Sequence, residues 1–110
     1  GDLQIVGSGE VTLNNEGNDY HGKTLVKESA TLKAGSDNAL GNTKELNLAG
    51  GTTFDLNGKT QTVGALNTAA GSTAKVNGGD LTLAGETDSV VDGALTGEGN
   101  IRVKDNTLTV

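Results

Sequence analysis

The chain has 110 residues, with 18 Gly, one Tyr, one Phe, one His, and no Cys, Met, Trp or Pro. That excludes a disulfide scaffold, a cysteine-ligated metal site and a thiol enzyme. Eight basic against 14 acidic residues leave a net charge of −6, without the cationic footprint that displaces counterions from nucleic acid, and no run of about 18 apolar residues exists to cross a membrane as a helix.

From the N-terminus onward, apolar residues come in short couplets: Leu3-x-Ile5, Val11-x-Leu13, Leu46-x-Leu48, Phe54-x-Leu56, Ala74-x-Val76, Leu81-x-Leu83, Ile101-x-Val103 and Leu108-x-Val110. A period of two puts both members of a couplet on one side of a strand. No window sustains the i, i+3, i+4, i+7 pattern of a helix. Leu, Val, Ile and Phe number 25 in all, just above the roughly 20% below which a highly charged chain cannot build a core.

Successive couplets begin seven or eight residues apart: Leu3 to Val11, Leu46 to Phe54, Ala74 to Leu81, Ile101 to Leu108. Between them lie corners such as Gly7-Ser8-Gly9, Ala49-Gly50-Gly51, Asn77-Gly78-Gly79 and Lys104-Asp105-Asn106. Gly, Asn and Asp reach positive φ at low cost, which suits tight corners. Strands this short make a poor antiparallel sandwich. Three of them per coil, stacked on the next coil, bury a file of aliphatic side chains along an axis. The spacing therefore predicts an all-β chain, a parallel β-solenoid of five to six rungs of roughly 20 residues each, about 25 Å tall at about 4.8 Å per rung.

A longer similarity joins the two ends. Leu3–Leu13 is echoed by Ile101–Val110, one residue shorter at the corner. This predicts that the 110 residues form a single solenoid segment cut from a longer stalk. It also predicts that both ends expose apolar rungs, so that an isolated chain fuses its edges with a neighbour or needs caps.

The order of submotifs resembles the passenger-associated repeat of bacterial autotransporters, the type V secreted proteins. Asn18-Asp19-Tyr20-His21-Gly22-Lys23-Thr24-Leu25-Val26 is similar to the start of that repeat, followed by Ala30-Thr31-Leu32-Lys33-Ala34-Gly35 and Asn38-Ala39-Leu40-Gly41. Then come Leu46–Gly58, Gln61–Leu66, Val76–Leu83 and Leu95–Gly99. Each piece alone is weak, whereas the ordered series covers residues 3–110. The resemblance implies a right-handed parallel β-helix in a cell-surface passenger. In AIDA- and pertactin-like adhesins such a passenger is exported through periplasm and outer membrane by a C-terminal β-barrel of the same polypeptide, absent from these residues. The implied role is an adhesin or stalk without catalysis or cofactors, mediating biofilm formation, self-association with identical passengers or attachment to a host-cell surface. The alternative is the scaffold of a β-helix polysaccharide-degrading enzyme. A chain without Cys threads through an oxidising periplasm without forming disulfides.

Several residues could carry chemistry. His21, the only His, would need a nucleophile such as Ser29 or Ser36 and an orienting partner, and no triad-like motif surrounds either Ser; a surface position is expected. Asp55, Asp80, Asp88, Asp92 and Asp105 could pair as acid and base, but a cleft needs long loops and the connections look short. Glu86, Asp88 and Asp92 offer three carboxylates in seven residues, without the repeated nonapeptide of calcium-binding solenoids. No metal, cofactor or nucleic acid is expected, nor membrane insertion of this segment.

The 11 Asn and 15 Thr are more informative. Many flank the couplets at outward or corner positions, and Asn47, Thr53, Asp55, Asn57, Thr62, Asn77 and Thr82 form a candidate outward interaction ladder. Stacked polar side chains contribute about 0.2–1 kcal/mol per pair. Presented to an identical face, they could sum many weak contacts by multivalency.

Overall fold

A computed structural model describes all residues from Gly1 to Val110. It contains fourteen strands and no helix: β1 (Leu3–Ile5), β2 (Glu10–Leu13), β3 (Lys23–Val26), β4 (Thr31–Ala34), β5 (Glu45–Leu48), β6 (Thr53–Asp55), β7 (Thr60–Val63), β8 (Leu66–Thr68), β9 (Thr73–Lys75), β10 (Asp80–Leu83), β11 (Ser89–Val91), β12 (Ala94–Thr96), β13 (Asn100–Val103) and β14 (Leu108–Thr109). Three parallel sheets result. The first has the order β1-β3-β5-β8-β11-β14, the second β12-β9-β6-β4-β2 and the third β13-β10-β7. The fold is a parallel β-solenoid of five turns with a sixth strand begun. Leu3 lies beside Thr24, Thr24 beside Leu46, Leu46 beside Leu66, and Asn67 beside Val90. One turn thus takes 20 to 23 residues here, and only 19 from Ser89 to Leu108.

The short strands hold together because every one but those at the ends bonds on both sides. Inside, the couplets of the middle turns stack as expected: Leu46, Leu48, Phe54, Leu56, Leu81 and Leu83 are each at most 2% exposed. Phe54 sits between Leu32 and Ala74 in register, so a large side chain is matched to a small neighbour.

The end turns differ. Val11 is 37% exposed, Val103 40% and Val110 82%, because a residue in a terminal turn has a neighbouring rung on one side only. The similarity between the two ends is not a repeat of position. Leu3–Ile5 and Val11–Leu13 lie in the first and second sheets, whereas Ile101–Val103 and Leu108–Thr109 lie in the third and first. The echoing segments are one face out of step. Couplet, corner, couplet is simply what any two consecutive sides of such a coil look like.

Nor are all connections short. Turns one and two have no third strand, and residues 14–22 and 35–44 fill that side without regular structure. They open no cleft, because they lie on each other and on β7. Asn18 Nδ2 donates to Ala39 C=O at 2.8 Å, and the Asn42 amide donates to Tyr20 C=O at 3.1 Å. The Asn38 amide donates to Thr60 C=O at 2.9 Å, while Ala39 and Leu40 turn into the core.

Four inward strand positions are polar rather than apolar, and each is satisfied by main chain or by another hydroxyl. Gln61, 2% exposed, accepts from the Leu40 amide at 2.9 Å and donates to Gly41 C=O at 3.2 Å. Ser89 Oγ accepts from the Leu66 amide at 2.9 Å, and Thr68 Oγ1 from the Gly93 amide at 3.0 Å. Thr24 shares a hydrogen bond with Thr43 at 2.9 Å. Buried polar groups with partners cost little, and without partners they cost heavily.

Candidate interaction surface

Strand alternation turns every second side chain outward, so each of the three sheets presents its own face, and the corner counts decide which residues share one. The seven ladder residues separate accordingly. Asn47 lies on the first sheet, between Leu25 and Asn67 in register. Thr53 and Asp55 lie on the second, where Thr31, Thr53 and Thr73 form one outward row and Lys33, Asp55 and Lys75 the next. Thr62 and Thr82 are neighbours on the third sheet, followed by Arg102. Asn57 and Asn77 occupy the corner between the second and third sheets.

That corner is built by local chemistry. Asn57 and Asn77 have φ of 56° and 47°, and each is followed by a glycine that is also left-handed, Gly58 at 74° and Gly78 at 83°. Gly, and after it Asn and Asp, take left-handed conformations at the lowest cost. Asp55 Oδ1 accepts from the Asn57 amide at 2.8 Å and from Asn77 Nδ2 at 2.9 Å. Asp55, Asn57 and Asn77 are therefore brought together as one hydrogen-bonded set across two turns. Thr62 and Thr82 form a second pair, and Asn47 belongs with neither.

The titratable groups are spread out. His21 is exposed, and no hydrogen bond joins it to Ser29 or Ser36. Tyr20 beside it is half-buried, its hydroxyl 2.9 Å from Thr24 Oγ1. Burial raises its pKa above 10.0, partly offset by the Thr24 hydrogen bond. Tyr20, Thr24 and Thr43 thus form a hydroxyl chain that pins residues 14–22 to the second turn. Asp88 accepts from the Thr107 amide at 2.9 Å and Asp37 from the Thr60 amide at 2.8 Å; these carboxylates tie one turn to the next. No three His, Asp or Glu side chains converge.

Depressions in the surface are shallow. One of about 440 Å³ is the open mouth of the core at the first turn, between Leu3, Leu13 and Tyr20. Another, of about 460 Å³, follows the corner after the third sheet, along Lys44, Gly64 and Glu86. The third, of about 390 Å³, lies on the outer face of the first sheet and is the most apolar, floored by Leu25, Asn47, Asn67 and Val90. The first-sheet groove escapes a search for polar ladders because its two floor amides, Asn47 and Asn67, are flanked down the stack by the apolar Leu25 and Val90.

Comparison with known proteins finds two curated relatives in Escherichia coli (strain K12). The chain is 43% identical over 110 residues to a protein named uncharacterized lipoprotein YdeK, and 46% identical over 93 residues to one named uncharacterized protein YuaQ. It spans 8% of the first and 7% of the second. No protein-family model matches the chain. No solved structure matches it either.

Proposed function

We propose that the chain is a non-catalytic segment of a bacterial cell-surface passenger of the autotransporter type, serving as stalk or adhesive surface in self-association or attachment. The observation that carries this reading is how the polar side chains are used. The outward and corner carboxylates and amides bond from turn to turn, as Asp55 does to Asn77 and Asp80 to Asn100. An enzyme of this architecture would instead converge acids in a cleft. A stack of similar turns whose outward side chains vary is suited to carrying a surface pattern along an axis.

A location in the cell envelope is supported by the lipoprotein named among the relatives, 43% identical over the whole chain. Export through the outer membrane rests on the ordered submotifs from Asn18 to Gly99. Sequence downstream should then hold alternating amphipathic strands of about ten residues, the mark of a membrane β-barrel.

The test is deletion of residues 1–110 from the full-length protein, read by aggregation and surface attachment of the cells and by protease shaving of intact cells. The expected result is weakened adhesion, with the remaining passenger still accessible to protease. Unaltered adhesion in the deletion strain, or a segment that external protease never reaches, overturns the proposal.

A further inference from the structure

The corner between the second and third sheets carries the chain's two Asn-Gly pairs, Asn57-Gly58 in turn three and Asn77-Gly78 in turn four. Both are exposed, and both form the same tight turn. The Lys59 amide donates to Leu56 C=O at 3.0 Å and the Gly79 amide to Val76 C=O at 3.0 Å, with φ positive at both central residues. That is a type I′ turn. The two differ in their central peptide unit. The Gly78 amide donates to Glu98 C=O of turn five at 2.6 Å, whereas the Gly58 amide and the Asn57 main-chain carbonyl bond to no other group of the protein.

In an Asn-Gly pair the glycine nitrogen can attack the carboxamide of the asparagine before it, because no side chain on the glycine blocks the approach. A type I′ turn holds that nitrogen away from Cγ. Rotating the central peptide alone converts the turn to type II′, in which the first central residue keeps its positive φ and its ψ becomes about −120°. The glycine nitrogen then eclipses the Asn Cβ and comes within reach of Cγ. At Asn57 this rotation leaves the Lys59 bond to Leu56 and the bond of the Asn57 main-chain amide to Asp55 Oδ1 in place, and breaks no main-chain hydrogen bond. At Asn77 it breaks the bond to Glu98. Each asparagine must also release one side-chain bond, Asn57 Nδ2 to Ala34 C=O at 3.1 Å and Asn77 Nδ2 to Asp55 Oδ1 at 2.9 Å. The second of these goes to a carboxylate and is the stronger, so both differences leave Asn57 the freer.

We propose that Asn57 is a site of spontaneous deamidation in the folded chain, and that its counterpart Asn77 is protected. The Gly58 nitrogen loses its proton and bonds to Asn57 Cγ, the bond from Cγ to Nδ2 breaks, and Nδ2 leaves with that proton as ammonia. Water then opens the cyclic imide at either carbonyl. One opening gives aspartate with the main chain as before, and the other gives isoaspartate, whose main chain runs through Cγ. Water is consumed and ammonia released, with no change of oxidation state. Neither product can donate to Ala34 C=O, the contact that ties this corner of turn three to turn two. Either one also sets a second carboxylate beside Asp55. Isoaspartate further adds a carbon to the main chain inside a corner built for two left-handed residues. The modification therefore records the age of the chain in the middle of the stack, and it loosens the tie between turns two and three.

Prolonged incubation of the purified chain at physiological temperature in mildly alkaline buffer tests this. Peptide mapping by mass spectrometry locates the converted asparagines, enzymatic carboxyl methylation detects isoaspartate, and thermal melts follow the fold. The expected result is conversion at Asn57 about two- to tenfold faster than at Asn77, the ratio that one main-chain hydrogen bond sets. Isoaspartate should appear at that position while the thermal midpoint falls. In urea, where neither corner is formed, the two asparagines should react at similar rates. Asn57→Gly keeps a left-handed corner but has no carboxamide to attack, and its midpoint should hold through the same incubation. Equal rates in the folded chain, a faster reaction at Asn77, or conversion confined to the chain in urea overturns the proposal. A midpoint that falls as fast in Asn57→Gly as in the original chain overturns the claim that this modification loosens the stack.

Discussion

Replacing Gln61 by Leu removes the one long polar side chain in the core while nearly preserving its volume. Gln61 lies in β7 with its amide group pointing at residues 35–44, the irregular side of the second turn. It accepts from the Leu40 amide, donates to Gly41 C=O and donates to Thr62 C=O at 2.8 Å. Leucine leaves the Leu40 amide and the Gly41 carbonyl stranded among Leu40, Val63 and the rest of the core. Each stranded group costs about 1–3 kcal/mol, and relief from burying the Gln amide together with added apolar contact returns about 1–2 kcal/mol. The net expectation is a loss centred on about 2–3 kcal/mol, read as a lower urea midpoint with unchanged slope. Thr62→Ala, outward and exposed on the same strand, should stay within about 0.5 kcal/mol. Amide exchange supplies the second measurement, because the Leu40 amide should lose protection in Gln61→Leu. A Leu variant as stable as the original, with that amide still protected, would refute the claim that Gln61 holds the irregular side in place.

Phe54→Ala empties the middle of the stack between Leu32 and Ala74 and should cost about 3–5 kcal/mol by urea denaturation. At Gly64 an added Cβ would fall inside contact distance of the Lys44 carbonyl oxygen, whereas at Gly9 nothing lies within 4 Å. Gly64→Ala should therefore cost about 1–3 kcal/mol and Gly9→Ala little, a contrast that thermal melts can measure. Tyr20, the only tyrosine, has a folded pKa above its ordinary 10.0. The unfolded phenol ionises first, so its contribution is complete below pH 10 and disappears as pH rises through the folded value. Phenolate absorbance should show a midpoint above that of a free tyrosine, and Tyr20→Phe should remove this part of the alkaline fall in stability.

The architecture was legible where both inward residues of a strand are apolar. Leu46 and Leu48, Phe54 and Leu56, and Leu81 and Leu83 announce turns three and four directly. Thr24, Gln61, Thr68 and Ser89 fill the same inward positions but belong to no couplet. What permits them is a main-chain or hydroxyl partner about a turn or more away in sequence, such as the Gly93 amide for Thr68, and no local pattern records that. Residues 14–22 and 35–44 replace the third side of two turns for the same reason, as their hydrogen bonds go to other turns. Alternation shows that Asn47, Thr53 and Thr62 point outward, but their faces depend on the length of every corner between them. Corner length also hides the column from Leu25 to Val90, since Asn47 to Asn67 spans 20 residues and Asn67 to Val90 spans 23.

Each strand bonds only to the strands of the turns directly above and below it, with no tie reaching further along the axis. Tension applied at one terminus therefore falls on a single rung at a time, as when thread is drawn off a spool. Letting go of one turn frees 19 to 23 residues, on the order of 70 Å of extended chain, while the remaining rungs stay wound.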